Sequence, residues 1–229
     1  MLSGLLDRLE ARVGRHKGIR NLMSIVVIGT ICVFLMDYLL PVFSQGTTMS
    51  SLLSFRMDRI LRGEIWRLIT FIFVPESSAN ILVMSIGLYF DWIMGDMLQN
   101  YWGTLRFTLF YTIGMLGAVI GGCLTGYATA YYLNMSLMLA MACIQPDMQL
   151  RLYGILNLKL KWLALISLAL MLLPMIQVIR YGYSWSQPVA MAASLINVML
   201  FFADRLLGQM RDAWRHHQWK KNWRSGWKR

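Results

Sequence analysis

Apolar and charged positions alternate along this chain in long blocks. Six apolar runs stand out, at residues 21–43, 79–98, 105–126, 130–145, 162–179 and 188–207. A helix needs about 20 apolar residues to cross the hydrocarbon of a bilayer. Lipid offers no partner to backbone polar groups, so each run is expected to be a helix. The fourth run is short, and it spans only where neighbours or a thinned bilayer cover its ends. One segment between the runs is unusual. In "GEIWRLITFIFVP", residues 63–75, a Trp66-Arg67 pair opens an apolar stretch too short to cross, and Pro75 ends it.

Composition agrees with the pattern. The 229 residues are 57% hydrophobic and 14% charged, where soluble domains carry about a quarter charged residues. Three parts are expected: a charged, amphipathic segment over 1–20, a membrane domain over 21–207 and a basic, Trp-rich tail over 208–229. The first segment lacks a small-residue cleavage site and does not read as a signal peptide. No internal repeat or low-complexity segment stands out.

The net charge of +11 would suggest nucleic acid in a soluble protein. Here the basic residues flank apolar runs, which points to topology and lipid headgroups rather than to a specific nucleic acid. With the N-terminus inside, seventeen of the 22 lysines and arginines fall on that side. The other five are Arg56, Arg59, Arg62, Arg67 and Arg180. That asymmetry predicts both termini in the cytoplasm. In the tail, Trp214, Trp219, Trp223 and Trp227 recur at four or five residues, roughly one helical face. An interfacial helix on anionic lipid is expected.

Polar residues inside the runs are candidates for function. Asp37 lies near the expected outer interface, Asp91 and Asp96 towards the inner half of the second run, Arg106 at the start of the third, and Asp204 and Arg205 at the end of the sixth. Most are within snorkelling reach of an interface, where structural ion pairing is the simpler role. Gln177 and Asn197 suit hydrogen bonds between helices. Cys32, Cys123 and Cys143 fit no metal spacing and read as small packing residues. No metal set or cofactor motif is found. In the third run, "GMLGAVIGG" places Gly117 and Gly121 four apart, with Gly114, Ala118 and Gly122 extending a bare face that another helix can approach closely.

Several stretches together resemble the rhomboid superfamily. "EIWRLITF" is similar to the Trp-Arg motif of its first loop, where Trp66 suits headgroup depth and Arg67 reaches phosphates. In "GDMLQNYWGTLRFTLFY", residues 95–111, Gly95, Leu98, Trp102, Gly103, Arg106, Phe107 and Tyr111 match the family junction, with Gln99 where Glu is usual. "PDMQLRLYGILNLKLKWLAL", residues 146–165, resembles the derlin branch in the spacing of Pro146 and Gly154, and "NVMLFFADR" is similar to its last span. "YYLNMSLMLA" also resembles a bacterial rhomboid-like group. The resemblance implies an all-α integral membrane protein, a six-transmembrane-helix rhomboid-like bundle, in a bacterial inner membrane.

An active rhomboid pairs a Ser in Gly-x-Ser-Gly with a His in the sixth span. Here Ser136 lies one turn into the fourth run, flanked by Asn134 and Leu137 instead of glycine. A gapless count from Pro146 places Tyr131 in the Ser position, and Val198 occupies the His slot. His16, His216 and His217 are the only histidines, all in expected cytoplasmic segments. The oxyanion positions fall on Val83 and Gly87, with Asn80 and Asn134 as candidate displaced substitutes. A Ser without a base is a weak nucleophile. The expectation is a catalytically inactive pseudoprotease that binds transmembrane segments of membrane-protein clients, with a membrane protease or extraction ATPase as partner. A divergent serine protease using Ser136 and a small transporter or channel are the alternatives. Trp66, Arg67, Gly95, Trp102, Gly103, Arg106, Gly117 and Gly121 carry structural and bilayer roles in this reading.

Overall fold

The computed structural model describes residues 18–39, 48–75, 81–152, 156–181 and 188–201. Its long helices are α1 (Leu22–Leu39), α5 (Ile81–Trp102), α6 (Thr104–Thr125), α7 (Tyr131–Ile144), α8 (Leu160–Tyr181) and α9 (Pro188–Phe201). Between α1 and α5 lie α2 (Met49–Leu53), α3 (Met57–Ile60), α4 (Arg67–Thr70) and a 3-10 turn, Phe71–Phe73. Each long helix sits on one of the apolar runs. The calls on residues 1–17, on 202–207 and on the tail lie outside the described residues.

Among the described residues, α1 and α6 are long and apolar enough to cross a membrane. Their outer faces are apolar too. Ile28 and Leu35 on α1 and Ile120 and Leu124 on α6 are exposed. So large an uncovered apolar surface marks contact with lipid or protein rather than water.

The second helix runs four residues past its expected end. Gln99–Trp102 continue it until Gly103, whose φ of +88° is open to glycine and costly for other residues. Gly103 thus makes the corner from which α6 starts.

The described residues are mostly helical, as expected, and two short antiparallel ladders join the helices. β1 (Phe55–Arg56) pairs antiparallel with β2 (Tyr127–Ala128), tying the first connection to the end of α6. β3 (Gln149–Leu152) and β4 (Leu156–Lys159) form a hairpin in register Leu150 to Leu158 and Leu152 to Leu156. This hairpin occupies the stretch that resembles derlin.

Apolar surface gains little by leaving lipid for protein, so helices in a membrane hold together by close packing. The small residues of α6 supply it. A Cβ on Gly114 would lie 2.3 Å from Leu133 Cδ1 of α7, and one on Gly122 would lie 2.7 Å from the Phe55 ring. A Cβ added to Gly117 or Gly121 would lie 3.6 Å from Ala193 or 3.1 Å from Val189 of α9. Asn197 adds a hydrogen bond from its Nδ2 to the Phe110 carbonyl at 3.1 Å. The main core joins Phe55, Phe71, Leu98, Phe107, Phe110, Leu133, Leu137 and Ala140.

Candidate functional site

The segment 63–75 folds around its arginine. Trp66 and Ile69 stay exposed while Arg67, Phe71 and Ile72 turn inward. Arg67 Nε donates to Glu64 Oε2 at 2.6 Å, and Nη1 donates to the Ser51 and Ser54 carbonyls at 2.9 and 2.8 Å. Thr70 Oγ1 donates to the Leu53 carbonyl at 3.0 Å. The Phe71 ring meets Phe55 edge-on at 6.0 Å. Arg67 is only 3% exposed, so the expected reach to lipid phosphates is corrected. The last carbonyls of α2 lack helical partners, and the guanidinium satisfies them while pairing with Glu64. Trp66 and Ile69 remain as an outward apolar face above this clamp.

The polar centre lies elsewhere. A cavity of about 380 Å³ opens between α5, α7 and α8, closed at one side by Thr30 of α1 and the Ile72–Pro75 corner. Most of its wall is apolar, including Met84, Leu88, Met138 and Leu163, but Asp91 and Asn134 also line it. Asn134 Nδ2 donates to Asp91 Oδ2 at 3.1 Å, and Tyr111 Oη donates to Asn134 Oδ1 at 3.2 Å. An amide both donates and accepts, so Asn134 relays between the phenol and the carboxylate. Ser167, also on the wall, donates to Met138 Sδ at 2.9 Å.

Asp91 stands ten residues from the start of α5 and eleven from its end. At 1.5 Å per residue, that is about 15 Å from either end. It is therefore central in its helix, and Asn134 holds it by a hydrogen bond. Asp37 and Asp96 also bond neutral groups: Ser50 donates to Asp37 through both its N–H and its hydroxyl, and Asn100 Nδ2 donates to Asp96. The expected ion pairs at these three acids give way to hydrogen bonds. Asp204 and Arg205 lie outside the described residues, as does the side chain of Gln177.

Ser136 is fully buried and off the cavity wall. Its Oγ donates to the Leu133 carbonyl at 2.5 Å. Tyr131, the alternative occupant of the Ser position, does line the cavity, as does Gly87. The remaining sequence candidates are dispersed. Trp102 stacks on Phe201 at 5.9 Å and meets Phe110 edge-on at 5.7 Å, and Gly95 lets Met23 of α1 close on α5. Gly103 and Arg106 sit at the α5–α6 corner, and Gly117 and Gly121 at the α6–α9 contact. Cys32 and Cys123 are exposed rather than packed inside.

The Tyr111–Asn134–Asp91 chain was missed as a unit in the sequence. One signal for it exists: Gly87 and Asp91 are four apart, and Tyr131 and Asn134 three apart, so each pair shares a helix face. Among the described residues no group of three His, Cys, Asp or Glu side chains could hold a metal. The cavity can accept a hydrogen bond or a positive charge at Asp91.

A model of the family described as "Eukaryotic integral membrane protein (DUF1751)" matches residues 20–134, half of the chain. No curated protein and no solved structure matches. The family's description is eukaryotic and gives no support to the expected bacterial inner membrane.

Proposed function

This chain belongs to that family of eukaryotic integral membrane proteins, and from there we propose that it is a non-catalytic, rhomboid-like protein that binds transmembrane clients. In this reading the six long helices cross the bilayer, with both termini in the cytoplasm. The excess of basic residues on one side supports that orientation.

One observation carries the proposal: the hydroxyl of Ser136 is committed to the Leu133 carbonyl and sealed from the cavity. No imidazole occurs between His16 and His216 to activate it. The bundle instead suits binding. The fourteen-residue α7 reaches only about 21 Å, against roughly 30 Å of hydrocarbon. A short helix of this kind thins the bilayer around it. The outward face of Trp66 and Ile69 deepens the effect by sitting at headgroup depth on the opposite side of the membrane from the termini. Thinned lipid favours client helices that are polar or poorly packed. Delivery of such clients to a membrane protease or an extraction ATPase, as in the derlin branch, completes the role. The Trp-rich tail holds anionic lipid.

Photo-crosslinkers at Trp66 and at Met135 in α7 test this reading. Both positions are expected to capture intact transmembrane proteins from native membranes. Capture of none, or recovery of clients cut within their membrane segments, overturns it.

A further inference from the structure

The cavity contains more chemistry than a packing defect needs. Its wall is apolar except around Asp91, which is half-buried and open to it. One Asp91 oxygen is held by Asn134, and Tyr111 in turn braces Asn134 from α6. The three residues come from three helices, so the carboxylate is fixed in place before any ligand arrives. Among the described residues no lysine or arginine pairs with Asp91.

A carboxyl group near the centre of a membrane helix is costly and pairs with a partner where it can. A single neutral amide leaves it under-satisfied. A volume of about 380 Å³ lies at the small end of ligand pockets. It is too small for a helix but large enough for a long side chain. The wall crosses from α5 to α8, so a helix lying in lipid against that face could insert one side chain between them.

Resting on the client-binding reading above, we infer that Asp91 recognises a client transmembrane helix by a basic side chain at mid-membrane depth. The lysine ammonium or arginine guanidinium enters the cavity and pairs with the carboxylate. Asn134 holds the carboxylate in position. The methionine-rich wall (Met84, Met94, Met135, Met138) adapts to the aliphatic stem, since methionine fills irregular space.

The full-length protein in lipid nanodiscs is titrated with photo-reactive Leu/Ala helices of about 20 residues that carry Lys, Leu or Glu at the centre. The Lys helix is expected to bind on the order of tenfold better than the Leu helix, the scale of a polar contact between membrane helices, and the Glu helix worse. Asp91→Asn removes the Lys preference and leaves Leu-helix binding unchanged. Met84→Trp, which fills the cavity and keeps the carboxylate, removes the same preference if Asp91→Asn does not fold. Equal binding of the Lys and Leu helices overturns this inference and leaves the client-binding reading standing. Binding of neither removes both. Octylamine competing as well as the Lys helix overturns the assignment to a helix-borne cation and makes the ligand a free amine.

Discussion

Arg67→Ala removes the group that holds the first connection together. Three hydrogen bonds end on the guanidinium, one to Glu64 and two to the Ser51 and Ser54 carbonyls. Breaking a buried ion pair costs about 3–5 kcal/mol, because the partner is left unpaired. Glu64 keeps 23% of its side chain exposed and retains Arg59 at 3.5 Å, so the lower end applies: about 3 kcal/mol, or roughly a hundredfold in the unfolding equilibrium. Arg67→Lys keeps the charge without the planar fork and costs about 1–2 kcal/mol. Adding Glu64→Gln to Arg67→Ala costs little more than Arg67→Ala alone, because the acid has already lost its buried partner and keeps only Arg59, an exposed contact at 3.5 Å. Reversible unfolding in mixed micelles, with and without anionic lipid, measures all of these. If Arg67→Ala costs less than about 1 kcal/mol, the internal clamp is refuted. A loss that appears only with anionic lipid refutes it too and returns Arg67 to the phosphates.

Gly114→Ala would set its Cβ 2.3 Å from Leu133 and 2.6 Å from Asn197, and overpacking of this kind costs about 1–3 kcal/mol; Gly117→Ala, whose Cβ would meet Ala193 at an ordinary contact distance of 3.6 Å, is expected to be tolerated, and the same unfolding assay compares them. Gly103→Ala forces φ +88° on a residue with a Cβ, at about 1–3 kcal/mol, read as a lower melting temperature with the helix content of the folded state kept. A peptide of residues 208–229 is expected to bind vesicles containing phosphatidylserine, with affinity falling as salt rises, because basic residues near an anionic surface contribute about 1 kcal/mol each; sedimentation with vesicles measures it, and equal binding to neutral vesicles contradicts it.

The long helices were legible because an apolar run is a local signal. Lipid makes helix the only economical answer to it, so α6 and α7 lie within a residue of their expected limits. The hairpin was not expected, although "QLRL" and "LNLK" alternate polar and apolar with the period of a strand. The inward turn of Arg67 was not legible. Its carbonyl partners lie 13 and 16 residues back, and nothing in the Trp-Arg pair distinguishes lipid phosphate from peptide carbonyl. The cavity was hidden for the same reason, because Asp91 and Asn134 are 43 residues apart. Only the packing of α5 against α7 joins them. The glycine face of α6 was visible as a stripe, but its tightest positions are Gly114 and Gly122 at the ends rather than Gly117 in the middle.

The reactivity of Ser136 is the most direct test of a non-catalytic role. Purified protein in proteoliposomes is treated with a fluorophosphonate probe and supplied with a helical membrane substrate. The hydroxyl bound to the Leu133 carbonyl should stay unlabelled, and the substrate uncut. Labelling that disappears in Ser136→Ala, together with cleavage of the substrate, would contradict the account and make this chain a protease.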